Sequence, residues 1–272
     1  MAGLRAAEAL RELGFTGSLT FIGDEPYEPY DRPPLSEQVL KGWVPADHTA
    51  LPRMRAVDAD RRLGVAATGL DRAAKQVRLA DGERVGYDRL LIATGTRARP
   101  WPNPAEATLQ GVHTIRSRDD AAELQKELTE PPSRVLVIGA GFIGSEVASV
   151  CRELDIPVTV VERGSAAPSG ALGGVIGEIA ARMQRDHGVD LRCGLGVSSL
   201  EGDAGGHVVE NPRLVEDPPP YRRNQIFRGP RHVLVDIDGI RDRPRGNGRG
   251  RVSPRACRRA CRRSRGAGGP PA

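Results

Sequence analysis

Between Arg134 and Glu162 the chain runs Arg-Val-Leu-Val-Ile-Gly-Ala-Gly-Phe-Ile-Gly-Ser-Glu and closes on Val-Thr-Val-Val-Glu. Few residue orders restrict a fold so tightly. Val135 to Ile138 is an unbroken apolar run, the pattern of a strand buried on both faces. Three glycines follow at Gly-x-Gly-x-x-Gly spacing. Gly139 permits a tight turn, Gly141 lets backbone amides approach a phosphate, and Gly144 lets a helix pack closely on the strand. Phe142 and Ile143 open that helix, whose N-terminus offers its dipole to an anion. Glu162 stands about 20 residues on, where a carboxylate accepts hydrogen bonds from a ribose 2′-hydroxyl. Glycines alone would equally mark a packing turn. Strand, turn, helix, second strand and terminal acid in one order describe a dinucleotide-binding βαβ unit. Glu162 disfavours a 2′-phosphate, whereas the adjacent Arg163 could pair with one.

The same module echoes at the start of the chain. Ala2-Gly-Leu-Arg-Ala-Ala-Glu-Ala-Leu-Arg-Glu-Leu13 aligns with Ile143 to Leu154, so Gly3 falls opposite Gly144 and both segments close on Arg-Glu-Leu. Each then leads into an apolar stretch, Leu19 to Ile22 and Val158 to Val161, with Asp24 near the place of Glu162. An internal repeat of this kind implies two dinucleotide modules. The first lacks an opening strand and its first two glycines, so Met1 is expected not to be the N-terminus of a functional ancestor. The plainer reading is an alanine-rich amphipathic helix.

A chain of 272 residues holds one large or two modest cores. It has no apolar run of membrane-spanning length and no hydrophobic signal core near Arg5, Glu8, Arg11 and Glu12, so a cytoplasmic location is expected and a membrane is not. Cys151, Cys193, Cys257 and Cys261 have neither metal-site nor disulfide-framework spacing, and no metal is expected. The net charge of +5 hides an asymmetry: from Asn211 onward stand 16 arginines, no lysine and five acids. That stretch is also rich in Pro and Gly and is expected to be a disordered basic tail, because it buries too little apolar surface to offset ordering. Only Arg231 to Ile240 shows strand-like alternation. An arginine-rich arm could bind nucleic acid, but Tyr221 and Phe227 are its only aromatic residues. The same composition is what a GC-rich gene yields when read out of frame.

The middle of the chain carries smaller signals. Pro26 to Ser36 is proline-dense and expected to be a rigid extended loop without helix. Its Arg32 could grip a pyrophosphate with a bidentate fork. Leu63 to Leu79 reads as short strands, with a hairpin turn at Asp81-Gly82. Tyr87 to Thr96 reads as a buried strand that breaks at Thr94-Gly95. Asp119 to Glu130 reads as an amphipathic helix.

Three of these motifs, Tyr30-Asp-Arg-Pro-Pro-Leu-Ser36, Leu91-Ile-Ala-Thr-Gly95 and Gly139-Ala-Gly-Phe-Ile-Gly-Ser-Glu146, occur in the order that resembles the FAD-dependent pyridine-nucleotide oxidoreductases. The branch they resemble is the ferredoxin and rubredoxin reductases of bacterial oxygenase systems, over about Ala2 to Val208. The resemblance implies an α/β fold of two Rossmann-like modules, with FAD in residues 1–115 and NADH in residues 116–210, followed by a tail over 211–272. It implies that Asp24 holds the FAD adenosine ribose and Arg32 and Arg99 its pyrophosphate. Gly3 and Pro33 would border the FAD site, and Thr94 and Gly95 would pass close to the flavin. Gly139, Gly141, Phe142, Ile143 and Gly144 would cradle the NADH pyrophosphate, with Glu162 and Arg163 at its ribose. The expected reaction is hydride transfer from NADH to flavin, then single-electron transfer to a small iron–sulfur protein.

The chain departs from the pattern in three places. The first strand and Gly-x-Gly of the FAD module are missing. Glu37 stands where the family usually has a lysine, a cation that pairs with the acid at Glu146. Glu37 and Glu146 are therefore the candidate catalytic pair, and two acids there are expected to repel and to raise at least one pKa. Beyond Asn211 no continuation of the family pattern is recognisable. The redox-active cysteine pair of the disulfide reductases is absent from Pro29 to Pro34, which points to an external electron acceptor. The alternative is a non-catalytic truncated or frameshifted fragment that retains at most nucleotide binding.

Overall fold

The computed structural model describes residues 1–52, 56–165, 173–209, 213–216 and 232–236. Met1–Ile240 forms one compact unit; Arg241–Ala272 lies outside the described residues. The chain opens with helix α1 (Ala2–Glu12), strand β1 (Thr20–Gly23) and a one-turn helix α2 (Pro33–Ser36). Strand β2 (Asp60–Leu63) pairs in parallel with β1, Thr20 opposite Asp60. An antiparallel meander follows: β3 (Ala67–Asp71), β4 (Gln76–Leu79) and β5 (Arg84–Gly86). Its second turn is the expected one, with Gly82 at φ +91° and Asp81 accepting the Glu83 amide at 2.9 Å.

Helix α3 (Pro104–Ala107), strand β6 (Val112–Thr114) and helix α4 (Arg118–Thr129) lead to the second module. Helix α4 starts where a capping box forms: Ser117 accepts the Asp120 amide and Asp120 accepts the Ser117 amide. Then come β7 (Arg134–Ile138), α5 (Phe142–Glu153), β8 (Val158–Glu162), α6 (Gly174–Asp186) and β9 (Asp190–Cys193). A hairpin of β10 (Leu195–Ser199) and β11 (Arg213–Glu216) precedes β12 (His232–Asp236).

Five strands form one parallel sheet in the order β6-β12-β7-β8-β9. Every residue of β8 is buried, which explains its lack of alternation. The main core gathers Leu124 and Leu128 of α4, Val147 and Val150 of α5, and the valines of β7 and β8. Tyr30, Leu35, Val39 and Leu40 join this same core, so the proline segment after β1 is anchored on the second module. A smaller core under α1 holds Leu4, Ala7, Leu51 and Val57.

Two expectations are corrected. Residues 33–36 form a helical turn despite their prolines, because Pro33 and Pro34 occupy first-turn positions whose amides lack intrahelical partners anyway. Tyr87 to Thr96 forms no strand: Leu91 is 61% exposed and Ile92 68%. Among the described residues β1 pairs only with β2, and no strand lies beside the 90–93 segment to hold it in a sheet. Past residue 210, β12 sits between β6 and β7 at the middle of the second module's sheet. Within the stretch after Asn211, His232–Asp236 forms β12 and β11 pairs with β10. The other tail residues, with Cys257 and Cys261 and the nucleic-acid arm, lie outside the described residues.

Candidate dinucleotide site

From β7 the chain moves outward through β8 and β9, then returns to β12 on the other flank of β7. Strand order reverses there, and the carboxyl ends of strands at such a reversal form the crevice in which α/β sheets bind ligands. Ile138, Val161 and Asp236 share this edge in register. Gly139 follows at φ +99°, a left-handed conformation that glycine adopts without strain. Its amide is tied to the Val161 carbonyl at 2.8 Å, so the turn leaves the sheet in a fixed direction.

Gly141 is the N-cap of α5, and no side chain caps this helix. Nor does any acidic residue stand in its first turn. The first amides of α5 are therefore donors without an intrahelical acceptor, at the positive end of a 12-residue dipole. Gly144 is buried, Ile143 packs against the main core, and Phe142 is 55% exposed at the mouth. Glu162 is only 8% exposed, and its Oε2 accepts the Ala140 amide at 3.0 Å while Oε1 accepts the Gly164 amide at 2.7 Å. Arg163 is half-buried beside it. Cys193 is the register partner of Glu162 across β8 and β9. Glycines, helix terminus and acid thus converge as their spacing predicts, and the arrangement fits a pyrophosphate flanked by a ribose.

The first-module residues meet differently. Asp24 forms an ion pair with Arg97. Arg32 donates to Glu25 at 2.5 Å and to the Arg116 carbonyl, and its guanidinium lies 4.9 Å from the centre of the Tyr30 ring. Tyr30 donates to the same Glu25 carboxylate, and burial together with that bond raises its pKa. Gly95 adopts φ +67° with the Arg116 guanidinium 3.8 Å from where a Cβ would stand. Burial, reinforced by the charge of Arg32, lowers the pKa of Arg116. Two neighbouring guanidiniums that repel each other are the electrostatic setting an anion relieves, so Arg32 and Arg116 fit a pyrophosphate. Thr94 is exposed, Arg99 half-buried and Pro33 exposed at the start of α2. A Cβ on Gly3 would meet Phe21 and Ala93 at 3.8 and 3.9 Å, ordinary contact distances, so packing does not require glycine there.

Glu37 and Glu146 are joined by no hydrogen bond; instead Ser36 Oγ donates to Glu146 Oε2 at 2.6 Å, tying α2 to α5. Lys41, one turn beyond Glu37, pairs with Glu153 at 2.6 Å. Sequence reasoning missed Ser36, Glu25, Arg97 and Arg116. The signal for Glu25 was adjacency to Asp24; nothing local marked Arg116. No cluster of His, Cys, Asp and Glu suited to a metal occurs among the described residues, and no described helix is long and apolar enough to cross a membrane.

Comparison with known proteins extends this geometry. Residues 1–217 match the pattern of the pyridine nucleotide-disulphide oxidoreductases. The chain is 39% identical to rhodocoxin reductase of Rhodococcus erythropolis over 208 residues, 75% of the chain and 48% of that protein. It is 37% identical to the ferredoxin reductase component of the chlorobenzene dioxygenase of Cupriavidus sp. (strain PS12), covering 75% of the chain and 50% of that protein. Among solved structures, the covalent putidaredoxin reductase–putidaredoxin complex superposes with a TM-score of 0.70 at 27% identity, over 87% of this chain and 54% of the reductase-fold chain. The chain spans about half the length of the relatives it matches.

Proposed function

This chain belongs to the pyridine nucleotide-disulphide oxidoreductase family, and from that premise we propose that it serves an NADH-dependent FAD oxidoreductase of the ferredoxin reductase type. The acceptor in this proposal is a small iron–sulfur protein, a ferredoxin or rubredoxin, and the setting is the cytoplasm. A bound flavin supplies the conversion between a two-electron hydride donor and one-electron acceptors. The chain's own residues bind and align. The free amides of α5 receive the NADH pyrophosphate, and Glu162 receives the adenosine ribose and disfavours a 2′-phosphate. Arg32, Arg99, Arg97 and Arg116 neutralise the FAD pyrophosphate, with Asp24 at its ribose. Glu146, held by Ser36, and Glu37 border the α2–α5 contact, where the family's cation would stand.

The observation that carries the reading is the uncapped N-terminus of α5 at the strand-order reversal, with Glu162 fixed beside it. The cysteines support an external acceptor. Cys151 is fully buried in α5, and burial pushes its thiol up to about 12, so no thiolate forms near neutrality. Cys193 lies on β9, and neither cysteine is in a disulfide. The described residues thus offer no dithiol to take electrons from a flavin. The names of the relatives, a rhodocoxin reductase and the ferredoxin reductase component of a chlorobenzene dioxygenase, favour the same acceptor class.

The test uses the purified full chain reconstituted with FAD. Uptake of flavin, bleached on addition of NADH and restored by an oxidised ferredoxin, is the expected result. A colourless protein that takes up no flavin would support the non-catalytic fragment and overturn the proposal.

A further inference from the structure

Helix α6 lies outside the βαβ unit that carries the glycine turn, yet it reaches that turn through one side chain. Gln184 Nε2 donates to Ser145 Oγ at 3.0 Å, and Ser145 Oγ donates to the Gly141 carbonyl at 2.9 Å. The Gly141 carbonyl and the Phe142 N–H belong to one planar peptide and point in opposite directions. Fixing the carbonyl therefore fixes the aim of the first free amide of α5.

A second observation concerns the other end of the amide. Gln184 Oε1 is buried and has no hydrogen-bond partner among the described residues. Flipping the amide does not relieve this, because Ser145 commits its single proton to Gly141 and must receive from a donor. A buried amide oxygen left unpaired costs about 1–3 kcal/mol, which an apolar side chain of similar volume avoids. The residue is thus unfavourable for stability where it sits, and its one bond is spent on orienting the turn.

We propose that Gln184 is a positioning residue for the pyrophosphate of a nicotinamide dinucleotide, acting through Ser145 on the Gly141–Phe142 peptide. The inference rests on the dinucleotide reading above. The experiment titrates NADH into the full-length chain and its Gln184→Leu, Ser145→Ala and double variants by calorimetry, with thermal melting in parallel. Each single variant is expected to weaken NADH by about five- to tenfold, the effect of one oriented hydrogen bond. The double variant should lose no more than the weaker single, since both break the same chain of bonds. Ser145→Thr, which keeps the hydroxyl, should bind like the wild type. Gln184→Leu should melt at or above the wild-type temperature. Wild-type affinity in Gln184→Leu, additive losses in the double variant, or a loss matched by a lowered melting temperature would overturn the positioning role. Failure of the wild-type chain itself to bind NADH would overturn the dinucleotide reading and this role with it.

Discussion

Glu162 joins an observed role and a proposed one on a single carboxylate. It holds the turn together by accepting the amides of Ala140 and Gly164, one on each oxygen. An ionised carboxylate has about four acceptor sites, so two remain for ribose hydroxyls. In the proposed site its charge would also set the nucleotide preference, because a 2′-phosphate would face a buried anion. Glu162→Ala should weaken both nucleotides by releasing the turn, and it should weaken NADH more. We expect the NADH-to-NADPH affinity ratio to fall about tenfold, measured as dissociation constants for both nucleotides. An unchanged ratio would remove the charge from the account of specificity. In the first module the carboxylates of Asp24 and Glu25 hold Arg97 and Arg32 in place.

At the scale of elements, three helices stop in the same way. Phe15 N–H bonds back to the Leu10 carbonyl after α1, Ile156 to Cys151 after α5, and Val189 to Gln184 after α6. The residue before each donor is left-handed: Gly14 at φ +84°, Asp155 at φ +57° and Gly188 at φ +80°. This is the Schellman closure, and it favours glycine at the left-handed position. Asp155 alone carries a side chain there. Asp155→Gly should therefore stabilise the chain by about 0.5–1 kcal/mol, read from the midpoint of urea unfolding. A lowered midpoint would show that the Asp155 side chain contributes more than its strain costs. In α1 and α5 the closure follows the same Arg-Glu-Leu, at Arg11 to Leu13 and Arg152 to Leu154. Elements whose stabilisation is local were legible in this way: the capped α4, the Asp81-Gly82 turn, and the glycine turn with its acid. Elements set by distant partners were not. The apolar run at Leu90 to Ile92 reads as a buried strand, but burial depends on a neighbouring strand, and none flanks it among the described residues. Arg116 lies 84 residues from the Arg32 that its carbonyl holds, a separation no local pattern reveals.

For the molecule as a whole, the decisive strand is the one that composition concealed. An average over Asn211 to Ala272 is dominated by arginine, proline and glycine, and it hides five residues that belong at the centre of a sheet. Strand β12 pairs along its full length with β7, His232 opposite Arg134 through Asp236 opposite Ile138, and on its other side with β6. Without it, both faces of that pairing become open edges, and the strand-order reversal beneath the glycine turn disappears. Arg241–Ala272 lies outside the described residues. Two deletions therefore separate the roles of the two stretches. Ending the chain after Ile240 should leave the unfolding transition and the NADH affinity unchanged. Ending it after Asn211 should abolish cooperative unfolding or weaken NADH by at least about tenfold, because β7 loses a neighbour on the strand that launches the turn. Both are read by thermal unfolding monitored by circular dichroism and by NADH titration. Equal behaviour of the two truncations would show that β12 contributes nothing to the sheet, and the second module would then end near residue 210.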